Sequence, residues 1–218
     1  MKHFINIVMV AILVMVSTLL HAGEITGFTW YTGINSIAGT SLPGTPILNN
    51  DNMVGDATDN TIFVIQKHYV VVDVVDIVFT VANSGGVTEY LINEGVDNST
   101  GLVWDGYHIE LGFGVGSGFV KSSAGDGLDF DSPDYDSTVN FYINPDWFDS
   151  WSVTEDDIIA SDGLMPHTAY AGGFIYHIDV PDGITEFTLR QSPIAVPEPL
   201  TMTLLGIGGI AVVRRKCK

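Results

Sequence analysis

The sequence predicts an all-β fold, an antiparallel β-sandwich of jelly-roll-like form, over residues 23–192. Apolar and polar side chains alternate with a period of two along several segments, as in strands that bury one face. Asp-Gly pairs and glycine-rich stretches separate these segments at short intervals, which is typical of an all-β domain. No apolar period of 3.6 residues is sustained in this part of the chain, so we expect a single domain without long helices.

The segment WDGYHIELGF, residues 104–113, shows the alternation most clearly. Its apolar side chains from Tyr107 to Phe113 share one face, and His108 and Glu110 share the other. We therefore expect a half-buried strand whose polar side chains face solvent.

Two later segments repeat this pattern. FIYHIDV, residues 174–180, places apolar side chains inward and His177 and Asp179 outward. EFTLRQ, residues 186–191, alternates Phe and Leu with Thr and Arg. Both segments are predicted to be strands of the same domain.

Earlier in the chain, HYVVVDVVDIVFTVA (residues 68–82) is rich in β-branched side chains and predicts one or two central strands. PDWFDSWSVTEDDIIAS (residues 145–161) is the one segment in which we expect a helical turn or two, with Ser152 or Thr154 as the cap.

Turns are predicted where glycine follows a short polar residue. These positions are the Asp-Gly pairs that begin at Asp105, Asp126, Asp162 and Asp182, and the Ser84-Gly85-Gly86 stretch.

The amino terminus has the composition of a secretory signal peptide. A short basic start is followed by an almost continuously apolar run from Phe4 to Leu20, and Ala22 offers a small residue before Gly23. We expect signal peptidase to remove residues 1–22, so that the mature chain starts outside the cytoplasm.

The carboxyl terminus has three parts in a fixed order. Val196-Pro197-Glu198-Pro199 lies in a linker over residues 193–199, and its two prolines keep that segment extended. An apolar run of fourteen residues follows, from Leu200 to Val213. As a helix it reaches about 21 Å, less than a hydrocarbon core of about 30 Å.

Four of the eight basic residues of the chain lie in its last five positions, namely Arg214, Arg215, Lys216 and Lys218. By the positive-inside rule they stay on the cytoplasmic side of the inner membrane. Residues 200–218 therefore predict a short hydrophobic helix with a basic tail that holds the exported chain in the membrane before processing. An ordinary single-span tail anchor is the alternative.

This terminus resembles the tripartite PEP-CTERM sorting signal of Gram-negative bacteria. The residues that carry the resemblance are Val196, Pro197, Glu198 and Pro199, then the apolar run, then Arg214 and Arg215. The resemblance implies recognition by an exosortase, an integral-membrane cysteine protease, and delivery to the cell surface or the extracellular matrix. The segment VDNSTGLVWDGYHIELGFGVG, residues 96–116, is also similar to a block found inside PEP-CTERM proteins, mostly of unknown function.

Charge restricts the partners of the mature chain. Residues 23–196 carry three basic and twenty-five acidic side chains, a formal charge of −22. Such a surface repels phosphate backbones, so nucleic-acid binding is excluded.

Because Cys217 is the only cysteine, no disulfide can form within the chain, and a domain of this length must rely on its core.

A dense run of aspartates predicts a Ca²⁺ site. Five carboxylates lie within eleven residues, those of Asp126, Asp129, Asp131, Asp134 and Asp136. Carboxylate oxygens are ligands that Ca²⁺ prefers, although the spacing is not that of an EF-hand. A solvated acidic loop is the alternative.

Two further groups of residues suggest ligands. His108 with Glu110, and His177 with Asp179, could together coordinate Zn²⁺ if their strands met, the alternative being polar side chains that simply face water.

The four tryptophans, Trp30, Trp104, Trp147 and Trp151, could stack on sugar rings, the alternative being that they fill the core.

Three hypotheses for the function follow. The preferred one is an exosortase-sorted surface or matrix protein with a structural or adhesive, non-catalytic domain. The second is a carbohydrate-binding module, with or without Ca²⁺, that acts on extracellular polysaccharide. The third is a secreted glycan hydrolase, for which the many carboxylates nominate no particular pair. The sequence contains no Gly-x-Ser-x-Gly, His-Glu-x-x-His or phosphate-loop motif.

Overall fold

The structure, a computed structural model, describes residues 23–47, 60–82, 86–130, 141–143, 147–167 and 170–196. The predicted signal peptide, the sorting-signal residues after Val196, and three members of the aspartate run (Asp131, Asp134 and Asp136) lie outside this part of the chain.

Twelve strands and one short 3₁₀ helix make up the regular structure of the described residues. The strands are β1 (Glu24–Tyr31), β2 (Ser36–Ser41), β3 (Thr61–Tyr69), β4 (Val75–Ala82), β5 (Val87–Asn98), β6 (Trp104–Phe113), β7 (Val120–Lys121), β8 (Phe141–Ile143), β9 (Ser150–Val153), β10 (Asp157–Ser161), β11 (Tyr170–Pro181) and β12 (Glu186–Ala195). The 3₁₀ helix is Gly116–Gly118.

The strands form two sheets. Sheet A has the order β1-β4-β12-β6-β10-β9, and β7 also pairs with β6. Sheet B has the order β2-β3-β5-β11-β8. The pairs are antiparallel with one exception, since β3 and β5 run parallel while β4, between them in sequence, lies in the other sheet. The all-β, antiparallel prediction is confirmed apart from this pair.

The two sheets share one hydrophobic core, the arrangement of a β-sandwich. A single cluster of buried residues includes Ile77 and Leu189 of sheet A together with Ile92 and Ile178 of sheet B. The rings of Tyr107 on β6 and Phe174 on β11 meet across the sheets, with centroids 4.9 Å apart. Apolar faces from both sheets are thereby removed from water, which is the main stabilising contribution to such a fold.

The alternation predicted for residues 104–113 is confirmed in β6. Tyr107, Ile109 and Leu111 are buried in the core, and His108 and Glu110 are only partly buried. The segment 68–82 gives two strands: the end of β3 and all of β4.

The outward, solvent-exposed placement predicted for His177 and Asp179 is wrong. Both side chains are almost fully buried, although they alternate with the core residues of β11 as expected. His177 Nε2 lies 3.2 Å from Glu89 Oε1 on β5, whose carboxylate is also buried. The face of sheet B opposite the core is therefore covered here, and period-two alternation cannot indicate this.

The helical turn predicted within residues 145–161 is also wrong for the described residues 147–161. They include a hairpin of β9 and β10, in which Val153 pairs with Ile158. The Thr154 amide donates to the Asp157 carbonyl, 2.8 Å away, and closes a tight turn. β-branched residues on both sides favour strands, and they outweigh the capping residues on which the helical prediction rested.

Of the predicted Asp-Gly turns, those at Asp126 and Asp182 are present, whereas Asp105-Gly106 lies inside β6. Glycine is needed at position 106 for a close approach, because a Cβ there would lie 2.9 Å from the Ala160 carbonyl oxygen.

In the described part of the chain, no helix has both the length and the apolar character needed to cross a bilayer.

Candidate functional site

The last described strand leads directly into the predicted sorting signal. β12 lies inside sheet A, between β4 and β6. It continues to Ala195, so residues 193–195, expected in the linker, pair with β6 instead. The Val196 amide then donates to the Val103 carbonyl, 2.9 Å away. The first residue of Val-Pro-Glu-Pro is thus fixed to the sheet.

Pro193 lies in the part of β12 that extends beyond its pairing with β4. Pro193 pairs with Tyr107 of β6, but the pairing of β12 with β4 ends at Gln191. A residue without an N–H group is tolerated where a neighbouring strand is missing.

An ion pair on the outer face of sheet A fixes β12 to β4. Arg190 donates from Nε to Asp76 Oδ1 at 2.7 Å and from Nη2 to Asp76 Oδ2 at 2.8 Å. The guanidinium also donates to the Gly116 carbonyl and lies 3.9 Å from the centroid of the Phe119 ring. Hydrogen bonding to Asp76 raises the pKa of Arg190. Such a bidentate pair is more specific in geometry than a lysine pair.

The next residue of β12, Gln191, faces the core and is fully buried. Its Nε2 donates to Glu94 Oε2 at 2.9 Å and to the Tyr176 hydroxyl at 3.1 Å, both from sheet B. Its Oε1 accepts from the Tyr107 hydroxyl at 2.8 Å. The side chain of Gln191 therefore connects the two sheets through hydrogen bonds.

Lys67 of β3 completes this buried polar network. Its Nζ lies 2.5 Å from Glu94 Oε2, and neither side chain is exposed. Burial lowers the pKa of Lys67 to about 8, against the opposing effect of Glu94. Burial also raises the pKa of Tyr107 and of Tyr176 well above the ordinary value. These shifts follow from the cost of charging a group away from water.

Sequence reasoning missed this network because the strand that holds Lys67 is irregular. Ile62 and Lys67 are both buried although they are five positions apart, an odd spacing that normally places side chains on opposite faces. A register shift between Val64 and Lys67 brings both to the core. The available signal was the rarity of lysine in the mature chain, together with its spacing of two from the buried Tyr69.

Of the predicted Ca²⁺ ligands, Asp126 and Asp129 are described. Asp126 organises its own loop, since its oxygens accept from Ser122 Oγ at 2.7 Å, the Ser123 amide at 3.0 Å and the Leu128 amide at 3.1 Å. The backbone of Asp129 pairs with Asp179 of β11.

The remaining predicted ligands, Asp131, Asp134 and Asp136, lie outside the described residues. The Ca²⁺ site stays a prediction.

The structure does not bring the two predicted His-carboxylate pairs together. His108 is on the outer face of sheet A, whereas His177 is on the opposite side of the core, in sheet B. The joint Zn²⁺ site is therefore wrong.

His108 instead meets Asp157 of β10, with Nε2–Oδ1 at 2.6 Å, and Glu110 is close by. One ligand atom from each of His108, Glu110 and Asp157 can lie within 4.8 Å of the others, the spacing of a metal site. Lys121, however, already pairs with Asp157. Burial opposes ionisation of Asp157, but hydrogen bonds from Lys121 and His108 outweigh it and lower its pKa. The group is a network of ion pairs and hydrogen bonds on the outer face of sheet A.

The tryptophans divide into core and surface residues. Trp104 is fully buried, and its indole N–H donates to Thr100 Oγ1 at 3.1 Å, so its predicted role as a sugar platform is wrong. Trp147 and Trp151 are partly buried against the core. Trp30 is exposed and stacks on Phe28, with ring centroids 5.3 Å apart.

An open groove of about 740 Å³ lies beside the end of β12. Carboxylates of Asp105, Asp149 and Asp162 line it, together with the exposed apolar side chains of Leu164 and Ile194. Ile194 is two residues before the Val-Pro-Glu-Pro sequence, so the groove and the predicted signal are neighbours along the chain.

Comparison with known proteins bears on the carboxyl terminus. No curated protein and no solved structure matches the chain. The family of the PEP-CTERM protein-sorting motif matches residues 195–216. This match begins at Ala195, the last residue of β12, and contains all six of the predicted signal residues. The motif implies export, processing by an exosortase, and a destination at the cell surface or outside the cell. The protein therefore carries a PEP-CTERM sorting motif joined without a spacer to the last described strand of a β domain.

Proposed function

We propose that this protein is a non-catalytic structural or adhesive component of the extracellular polymer layer, delivered there by exosortase. The signal peptide over residues 1–22 starts export, and the segment after residue 199 holds the chain in the inner membrane until processing.

This proposal rests on one observation: strand β12 of the domain continues directly into the sorting signal. β12 is paired on both sides, its Arg190 is bonded to Asp76, and the Val196 amide after it donates to the Val103 carbonyl just before β6. The strand that leads into the sorting signal, β12, lies inside a sheet, and we expect such a domain to remain folded where it is displayed. This suits a protein whose role is to be present at a surface.

Sorting can be tested in the producing cells by following the mature protein. We expect Glu198→Ala, and separately Arg214→Ala with Arg215→Ala, to cause loss of surface display and retention of the full carboxyl terminus. Glu186→Ala is the matched control, because Glu186 is an exposed acidic residue at the other end of β12. Unchanged display and mass in both signal variants would overturn exosortase sorting.

The structural role is tested by deleting the gene for this protein. We expect a polymer layer that retains less material on washing but has unchanged sugar composition and chain length. A change in chain length would indicate glycan hydrolysis instead and would contradict a non-catalytic role.

The groove favours a second candidate function, binding of extracellular polysaccharide. Carboxylates accept hydrogen bonds from sugar hydroxyls, and Leu164 and Ile194 offer apolar contacts to the C–H faces of a sugar ring. This combination of a few polar groups with apolar walls is typical of small-ligand sites.

Binding is measured with the exported protein and polysaccharide extracted from the polymer layer, with Ca²⁺ and with a chelator. We expect Asp105→Asn with Asp149→Asn to weaken binding at least tenfold, about 1.4 kcal/mol. Glu155→Gln, an exposed acidic residue outside the groove, should bind like the unaltered protein. Equal binding by all variants would place the sugar site elsewhere, and release of reducing sugar would indicate a hydrolase.

A further inference from the structure

Three buried groups in the core have the chemistry needed to form an amide bond. They are the amine of Lys67 on β3, the carboxylate of Glu94 on β5 and the carboxamide of Gln191 on β12. All three side chains are removed from solvent. One carboxylate oxygen, Glu94 Oε2, lies 2.5 Å from Lys67 Nζ and 2.9 Å from Gln191 Nε2. The amine and the amide nitrogen are thus neighbours through a single shared acceptor.

We propose that Lys67 and Gln191 become joined by an amide bond in the folded chain, with Glu94 transferring the proton. The Lys67 Nζ lone pair attacks Gln191 Cδ, forming the Nζ–Cδ bond. The Cδ–Nε2 bond then breaks, and the amide nitrogen leaves as ammonia. No oxidant or other reactant is needed, because one amine and one primary amide give one secondary amide and one ammonia.

Glu94 is in the position that the proton transfer requires. Its Oε2 contacts both the nitrogen that must lose a proton and the nitrogen that must gain one. A carboxylate within hydrogen-bond distance of both can act as base and then as acid. The lowered pKa of Lys67, about 8, means that a substantial fraction of its amine is neutral near that pH. A neutral amine is the nucleophilic form.

Tyr107 supports the same reaction from the other side of the carboxamide. Its hydroxyl donates to Gln191 Oε1 at 2.8 Å, the atom on which negative charge develops when Cδ is attacked. Tyr69 in turn contacts the Tyr107 hydroxyl at 2.9 Å. These phenols are buried, so the carbonyl oxygen has a fixed donor where bulk water is excluded.

The position of the bond gives it a structural consequence. It would link β3 in sheet B to β12 in sheet A, the strand that continues into the sorting motif. The chain cannot make this link with a disulfide, because Cys217 is its only cysteine. A buried ion pair alone contributes little net stability, since desolvation offsets its attraction. Conversion to an amide removes the charge of Lys67. It also leaves one amide N–H, from Nζ, in place of the two nitrogens that now contact Glu94 Oε2.

The test is the mass of the exported protein, compared with the mass calculated from its sequenced termini. We expect a loss of one ammonia, about 17 Da. Peptide mapping should locate this loss on a linked pair of peptides, one with Lys67 and one with Gln191, and trypsin should no longer cut after Lys67. An unchanged mass, or a loss of about 17 Da on any single unlinked peptide, would overturn the proposal. A loss of about 18 Da, one water, linking Lys67 to Glu94 would overturn the assignment of Gln191 as the acceptor.

Two variants test the roles of the groups. Glu94→Gln keeps the shape of the side chain and removes the proton carrier, and we expect the full, unlinked mass. Gln191→Met removes the carboxamide at similar length and should also give the full mass. Lys121→Met is the matched lysine control, since Lys121 lies on the surface away from this network, and it should retain the loss. Far-ultraviolet circular dichroism shows whether each variant is folded. A link that persists in folded Glu94→Gln would overturn the role of Glu94.

Discussion

The guanidinium of Arg190 on β12 lies side-on to the carboxylate of Asp76 on β4, with both nitrogen–oxygen distances below 2.9 Å. The Asp76 side chain is only 3% exposed. Arg190→Met would leave this carboxylate buried without its cationic partner, although the Gly116 amide would still donate to Asp76 Oδ2. We expect a loss of about 3 kcal/mol in the free energy of unfolding, measured with urea at neutral pH.

Lys121→Met is the control for that experiment. Lys121 also pairs with carboxylates, those of Asp156 and Asp157, but it is 36% exposed. Because water screens such a pair, its removal should cost less than about 1 kcal/mol. Equal losses in the two variants would contradict the special role of the Arg190 pair.

Gly163 is predicted to be intolerant of any side chain. A Cβ at this position would lie 2.1 Å from the Trp147 carbonyl oxygen and 2.6 Å from the Phe148 Cα, both backbone atoms. Gly163→Ala should therefore destabilise the protein by about 1 to 3 kcal/mol, through displacement of the segment before β9. Gly44→Ala is the matched control, since nothing lies within 4 Å of its added Cβ, and it should be neutral or slightly stabilising. Thermal unfolding of both variants gives the comparison.

Acid stability should depend on Lys121. The folded protein holds the pKa of Asp157 below its ordinary value of 3.8, because hydrogen bonds from Lys121 and His108 outweigh desolvation. A carboxylate with a lowered pKa stabilises the fold above that ordinary value, and this stability is lost as the pH falls through the folded-state pKa. We expect Lys121→Met to move the midpoint of acid unfolding to higher pH. Lys121→Arg, which keeps the charge, should leave the midpoint near that of the unaltered protein.

Alkaline stability should depend on the buried tyrosines. Burial raises the pKa of Tyr69, Tyr107 and Tyr176 above the ordinary value of 10.0. The protonated phenols therefore stabilise the fold fully below about pH 10, and this contribution is lost as the pH rises beyond it. Tyrosinate absorbance from these residues should appear only together with unfolding. Their ionisation in a protein that retains its circular dichroism would contradict their burial.

Tyr107→Phe separates the hydrogen bond made by the Tyr107 hydroxyl from the effect of its ionisation. At neutral pH it should cost about 1 kcal/mol, because Gln191 Oε1 loses its donor. At alkaline pH the variant has one fewer group that ionises on unfolding, so its stability should fall less steeply with pH.

Local pattern was sufficient to predict the strands that bury one face. β6 alternates as its sequence indicates because one side packs on the core and the other carries the partly buried side chains of His108 and Glu110. β11 shows the same sequence period, yet both of its faces are covered at His177 and Asp179. The alternation shows which side chains of a strand face the core, but it does not show whether other residues cover the opposite face.

The candidate sites show a similar division. The sorting motif could be found because all of its information lies in consecutive residues at one terminus. The network of Lys67, Glu94 and Gln191 could not, because it joins three strands that are far apart in sequence and requires a register shift in β3. Contacts of this kind depend on which strands become neighbours, and no local period contains that information.

The direct passage from β12 into the sorting motif decides how the domain would bear a pull on its carboxyl terminus. Tension at Val196 enters along the axis of a strand that is paired with β6 from Thr188 to Ala195 and with β4 from Glu186 to Gln191. Load in that direction shears many backbone hydrogen bonds at once instead of unzipping them one by one. A domain tethered in this way should resist extraction by flow far better than one suspended from an edge strand.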